Sequence, residues 1–236
     1  MFEGKRVLAV VPARGGSKGV TLKNLRPVGG VPLVALAGKV AAQCDFIDRA
    51  VVSTDHDEIA KVAEDSGLLA PFRRPEPLSG DRIGDWDVLT HALQEMEARD
   101  KTTYDIVLML QPTSPGRKPE HVRDCTAKLV SGGFDSVWTV SETDSKGHPL
   151  KQFTIAPDDA MDYYDPAGAH IIARQQLKPV YHRNGICYAI TRHCLVEQKS
   201  IKGARCGALV IEGNVINIDT EYDLALADFL IERGLA

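Results

Sequence analysis

Arg14, Lys18 and Lys23 fall within ten residues of one another, interleaved with Gly15, Gly16 and Gly19 and followed by Asn24. Glycines permit tight turns and let backbone N–H groups approach a ligand closely, and cations bracketing such a turn suit the phosphates of a nucleotide. The spacing matches neither GxxxxGK[ST] nor GxGxxG, so the mechanics of those two loops do not apply. From spacing alone, a solvated turn with incidental lysines stays open beside a phosphate grip. A second polar run, Gln111-Pro112-Thr113-Ser114-Pro115-Gly116-Arg117, follows an apolar stretch abruptly, and Gln111 can both donate to and accept from a ligand. A proline-bounded loop leading into a helix near Pro119 is the alternative there.

The third run is Val215-Ile216-Asn217-Ile218-Asp219-Thr220. As a strand it would place Asn217 and Asp219 on one face and Ile216 and Ile218 on the other. Magnesium favours oxygen donors and commonly takes one or two carboxylates plus substrate phosphates, so this run could hold a nucleotide-bound metal. Equally, Asp219 could cap a last helix with Asp223 in its first turn.

These runs need elements to position them. Apolar stretches at 6–11, 50–53 and 106–110 read as buried strands, because near-continuous apolar sequence belongs to sheets covered on both faces. They alternate with helical patterns through residue 140, a rhythm that predicts an α/β fold with a mostly parallel sheet. Pro32 suits the first turn of a helix over 32–44. Asp55 or Asp57 is placed to cap a helix running toward 65, and Asp85 one ending near 99. Between 142 and 183 the periodicity fails in polar, Pro- and Gly-bearing sequence, which suggests an excursion from the sheet. Regular structure is expected again at 185–190, at 215–219 and in a last helix over 220–233.

With 236 residues, 44% of them hydrophobic, the chain can bury a sizeable core as one domain. Its 28 basic and 32 acidic residues give a net charge of -4, so no global field would gather nucleic acid or an anionic membrane. Any grip on a polyanion must be local. The short apolar run before Pro12 is too brief for a secretory segment, no long apolar span follows, and a cytoplasmic protein is expected. Cys44, Cys125, Cys187, Cys194 and Cys206 are odd in number and lack a CxxC pair, so they read as buried thiols rather than disulfides or a zinc site.

Taken in order, several segments resemble the acylneuraminate cytidylyltransferase family. They are Ala13-Arg14-Gly15-Gly16-Ser17-Lys18-Gly19 with Leu22-Lys23-Asn24, Val52-Ser53-Thr54-Asp55, Arg74-Pro75 with Asp81, and Gln111 to Pro115. Later come His148-Pro149-Leu150-Lys151, Arg174-Gln175-Gln176, Arg183-Asn184-Gly185 with Tyr188, and Ile218-Asp219-Thr220 with Asp223-Leu224. The resemblance implies one domain over 1–236 with a three-layer, Rossmann-like nucleotidyltransferase fold. It implies a seven-stranded mixed sheet and an arm over 142–183 that reaches a partner subunit in a homodimer. Ala13, Arg14, Gly15, Ser17, Lys18, Lys23 and Asn24 would meet the triphosphate of CTP, with Gly80 and Asp81 near the base or ribose. Gln111, Lys151, Arg174, Asn184 and Tyr188 would surround a keto sugar acid. Asp219 and Asn217 would hold Mg²⁺, and Arg14, Lys23 and Asp219 would carry the chemistry. The implied reaction joins the anomeric hydroxyl of a sialic-acid-like nonulosonic acid to the α-phosphorus of CTP and releases pyrophosphate.

Two departures from the family pattern stand out. Asn217 occupies a position where the family usually has aspartate, which removes a charge from the metal site, and Gly116 stands where leucine is common, which suggests an altered sugar pocket. Keto-deoxy-octulosonate as the sugar, and a nucleotide-binding homologue without catalysis, therefore remain as alternatives.

Overall fold

The apolar strand β1 (Val7–Pro12) has almost no solvent-accessible surface because both of its edges and both of its faces are covered. It pairs in parallel with β4 (Arg49–Ser53) on one side and β5 (Ile106–Met109) on the other. Successive residues point to opposite faces. Val7, Ala9 and Val11 meet α1 (Leu33–Ala42), α2 (Asp57–Glu64) and α4 (Pro119–Gly132), while Leu8 and Val10 meet α3 (Asp85–Asp100) and α5 (Arg192–Val196). The result is a three-layer α/β architecture. A computed structural model describes residues 1–235.

The remaining strands complete the sheet and its appendages. A short pair, β2 (Pro27–Val28) and β3 (Val31–Pro32), precedes α1. β6 (Ser136–Glu142) leads into the excursion, which carries the hairpin of β7 (Phe153–Ile155) and β8 (Met161–Tyr163). The chain returns in β9 (Tyr181–Thr191) and ends with β10 (Cys206–Val210) and α6 (Glu221–Glu232). The main sheet has the order β10-β6-β9-β5-β1-β4. Only β9 runs against its neighbours, so the sheet is mixed but mostly parallel. Pairing of Glu142 with Tyr181 brings the excursion out and back at one point, so residues 143–180 form an arm on a two-stranded stem.

Several expectations need correction. The sheet has six strands, not seven. At the free edge of β4, Leu69 makes one parallel bridge to Val51 and goes no further. Pro71 follows two residues later and has no N–H to continue a ladder. Residues 215–219 are not a strand. Ile218 N donates to Thr113 O at 2.9 Å, and the Ile218 side chain sinks into a cluster with Val28, Leu33 and Leu224, so the segment docks on a loop and a helix. The edge beside β6 goes instead to β10, which the sequence reading missed.

The helix caps also differ. Pro32 stays extended in β3 and α1 starts one residue later. His56 and Gly84 hold the N-cap positions of α2 and α3 without side-chain caps, leaving Asp57 and Asp85 in the first turns. Asp219 does not cap α6. Thr220 does, its hydroxyl accepting from Asp223 N at 3.2 Å while Asp223 answers the Thr220 N–H, a reciprocal capping box. All five cysteines are free thiols, four of them buried.

Candidate active site

The carboxyl ends of parallel strands are where open α/β sheets gather ligands. The loops leaving β1, β4 and β5 do so here around a cleft of about 400 Å³. Arg14, Ser17, Lys18, Lys23 and Asn24 line it from the first loop, Gly80 and Asp81 from the segment before α3, Gln111 from the loop after β5, and Asp219 from the segment before α6. Residues from distant parts of the sequence therefore converge on one hollow.

Each of the loop cations has a partner. Arg14 Nη1 lies 2.8 Å from Asp81 Oδ1, and the Lys18 ammonium pairs with the other oxygen of the same carboxylate. The hydrogen bond from Lys18, with the two positive charges, holds the Asp81 carboxyl below the usual aspartate range. Lys23 Nζ donates to Ile218 O at 2.7 Å and meets Asp219 Oδ1 at 3.0 Å, which joins the first loop to the last segment. Asn24 Nδ2 donates to Arg14 O at 2.9 Å, and Gly15 N donates to Asp55 Oδ1 at 2.8 Å. Asp55 thus serves the loop rather than a helix cap. Gly19 passes so close to Asp219 that a Cβ would strike its carbonyl oxygen, which is why this position needs glycine.

The loop after β5 is held differently. The Arg117 guanidinium is buried and donates to the carbonyls of Gln111, Gly185 and Ile186. Burial pulls its pKa down to about 10, which still leaves it charged at neutral pH. Ser114 Oγ donates to Asn184 O at 2.7 Å, and Gly185, at φ +73°, lies against Gln111 Oε1 and Ser114 Oγ where no side chain would fit. Arg117 is the positioning residue for Gln111. Neither its burial nor its role follows from a lone arginine at the end of a loop.

A third group was also missed. Arg74 is buried, with Nε donating to Ser53 Oγ at 3.0 Å and the guanidinium also held by Ser53 O. Burial lowers its pKa to about 10. Asp85, Leu78, Ile83 and Val88 line the same cleft. Burial raises the Asp85 pKa, with Arg183 and Arg74 opposing. The signal for Arg74 lay in the Arg74-Pro75 pair that follows β4, but an arginine there reads as surface until the sheet is assembled.

Other candidate residues lie elsewhere. Ala13 is buried in the core beneath the loop. Asn184 is buried, bonded to Thr139 Oγ1 at 2.7 Å and Ser141 Oγ at 3.0 Å, so it fixes the stem of β6 and β9. Tyr188 is buried, its hydroxyl accepting from Gly185 N at 3.2 Å and its ring stacked on Trp138 at 4.9 Å, and burial pushes its pKa up to about 12. Both stand behind the Gln111 loop. Lys151 is exposed on the arm, and Arg174 lines a separate hollow of about 230 Å³ beneath it with His148 and Lys178. Gly116 borders a small crevice with Ile216 and Ile231 on the α6 side, away from the cleft where it was expected. Asn217 is exposed, its Nδ2 3.2 Å from Asp219 Oδ2.

Among the described residues no three acidic, histidine or cysteine side chains gather into a closed metal cage. Asp219 with Asn217 fits the smaller, protein-supplied share of a magnesium shell whose other oxygens come from phosphates and water. Among the described residues, no helix is long and apolar enough to cross a membrane.

The chain is similar to known proteins along nearly its whole length. The chain is 34% identical over 238 residues to a CMP-N,N'-diacetyllegionaminic acid synthase of Legionella pneumophila, covering 96% of this chain and 97% of that protein. It is 27% identical to a pseudaminic acid cytidylyltransferase of Campylobacter jejuni, covering 94% of this chain and 95% of the other. A solved structure of CMP:2-keto-3-deoxy-manno-octonic acid synthetase complexed with CTP is similar at a TM-score of 0.69, covering 98% and 100% of the two chains. At 18% identity that is a likeness of fold. A family model described as cytidylyltransferase matches residues 8–226, which span the loop from Ala13 to Asn24, the Gln111 loop and Asp219 together. With that match covering most of its length, the chain belongs to the cytidylyltransferase family.

Proposed function

We propose that the protein transfers CMP from CTP to the anomeric hydroxyl of a nonulosonic acid of the sialic, legionaminic or pseudaminic type. The observation that carries this reading is the convergence of Arg14, Lys18, Lys23, Gln111 and Asp219 on one cleft. Its family and its similarity to a CMP-diacetyllegionaminic acid synthase along nearly the whole chain support the choice of nucleotide and sugar.

In the proposed reaction the sugar hydroxyl oxygen forms a bond to the α-phosphorus of CTP. The bond from that phosphorus to the bridging oxygen breaks, pyrophosphate leaves, and the hydroxyl proton passes to water. Arg14 and Lys18 exchange the Asp81 carboxylate for phosphate oxygens. Lys23 neutralises charge beside Asp219, and Gln111, fixed through Arg117, orients the sugar. Such positioning and charge neutralisation are the main means of catalysis in phosphoryl transfer. When bound, Mg²⁺ supplies further charge neutralisation, with Asp219 and Asn217 as the protein groups that would hold it.

Exposed apolar side chains on the arm, Ile155 at 71%, Met161 at 63% and Ile172 at 93%, support a homodimer in which the arm of one copy covers another. Lys151 and Arg174 would then reach a sugar acid across the interface, where a guanidinium suits its carboxylate. Free buried thiols suit a cytoplasmic location.

The test is pyrophosphate release from CTP with Mg²⁺ and a panel of keto sugar acids. Turnover with nonulosonic acids is expected. Turnover with the octulosonate alone would move the substrate to the eight-carbon class, and silence with every sugar despite CTP binding would leave a non-catalytic homologue. Asp219→Asn should lose about a hundredfold in kcat at ordinary magnesium. Unchanged activity would remove Asp219 from the metal.

A further inference from the structure

Of the three carboxylates that face the cleft, two are committed. Asp81 pairs with Arg14 and Lys18, and Asp219 pairs with Lys23. Among the described residues no hydrogen bond reaches the carboxylate of the third, Asp85, which is partly buried with the charges of Arg183 and Arg74 acting on it. An unpaired carboxylate in a site for a triphosphate and a sugar carboxylate repels both unless it faces a hydrogen-bond donor. The groups around it say which donor. Leu78, Ile83 and Val88 line the same cleft from the segment that carries Asp85, and offer an apolar wall for a flat ring. The buried Arg74 lines the same cleft, its guanidinium held by Ser53.

We infer that Asp85 selects the base: its carboxylate accepts a hydrogen bond from the exocyclic 4-amino group of cytosine, so that the cleft takes CTP over UTP. Cytosine presents a donor at that position and uracil a carbonyl acceptor, so a fixed carboxylate attracts the first and repels the second. Sites built to bond a particular N–H or O–H reject analogues that lack it far more strongly than apolar pockets reject a change of shape. This inference rests on the CTP-dependent reading above and deepens it.

The experiment is calorimetric titration, without sugar acid, of CTP, UTP and the triphosphate of the pyrimidin-2-one ribonucleoside, which lacks the amino group. The protein should bind CTP about ten- to a hundredfold more tightly than either of the others. Asp85→Ala should bring CTP and the amino-less analogue to equal affinity. Asp85→Asn, whose amide can donate to the uracil carbonyl, should also improve UTP. Asp85→Leu, which also offers no polar group to the base, replaces Asp85→Ala should that variant fail to fold. Because the three ligands share one triphosphate, Lys23→Ala should weaken all of them in parallel. An unchanged preference for CTP over the amino-less analogue in the Asp85 variants overturns the inference and leaves the CTP reading standing. An unmodified protein with no preference among the three also overturns it. Failure of the unmodified protein to bind any of them overturns the CTP reading itself.

Discussion

The loop from Ala13 to Asn24 and the loop from Gln111 to Arg117 leave neighbouring strands at the same end of the sheet, and opposite means hold them. Cations of the first are held mainly by carboxylates: Arg14 and Lys18 by the partly exposed Asp81, Lys23 by Asp219 together with the Ile218 carbonyl. Backbone carbonyls hold the second, gathered by a buried arginine. An exposed ion pair is worth little and exchanges readily for a phosphate. A buried guanidinium cannot be removed without leaving buried carbonyls short of donors. On the proposed reading, one loop would change partners when a polyanion arrives, and the other is preformed. The triphosphate half of the site would be adaptable and the sugar half rigid.

Arg117→Met should show the largest effect, because it takes the donor from the Ile186 carbonyl in the interior and leaves those of Gln111 and Gly185 with only the longer bonds from Ser114 N and Gln111 N. We expect a loss of about 3 kcal/mol or more in unfolding free energy, read as a lower urea midpoint at unchanged slope. A midpoint within error of the unmodified protein would mean that the second loop is no more preformed than the first. Next in size is Gly19→Ala. Its new methyl falls on the Asp219 carbonyl, so the first loop must shift while the core stays intact, and kcat/KM should drop about a hundredfold with little change in the urea midpoint. Gly16→Ala is its control, since nothing lies within 4 Å of the added carbon.

The same contrast explains what the sequence made legible. Residues singled out by type alone converge in three dimensions: the loop cations, Asn24, Gln111, Asp81 and Asp219 all line one cleft. The periodicity of β1, β4 and β5 was equally readable, because strands covered on both faces are apolar throughout. Contributions that depend on burial were not readable. Arg117 and Arg74 look like surface cations in a linear sequence, and Asn184 and Tyr188 look like ligand groups, until the β6–β9 stem closes over them. Residues 215–219 alternate like a strand, but Thr113 and the α6 cluster compete for Ile218 and take it. Asp55 stands where it could cap α2, but the backbone N–H of Gly15 takes its carboxylate.

The smallest expected effect separates a competitor of the ligand from a contact of the ligand. Asp81 bonds both Arg14 and Lys18, and its side chain is 38% exposed, so its loss should leave the urea midpoint where it is. If the first loop exchanges partners as argued, Asp81→Asn frees both cations and CTP binding should tighten a few-fold, about what one exposed ion pair is worth. The gain should fade as added salt screens the charges over about 8 Å at physiological ionic strength. The same substitution should leave affinity for the sugar acid unchanged, since the second loop makes no use of Asp81. Weaker CTP binding in Asp81→Asn would instead place that carboxylate against the base or ribose, and the first loop would then be a preformed site like the second.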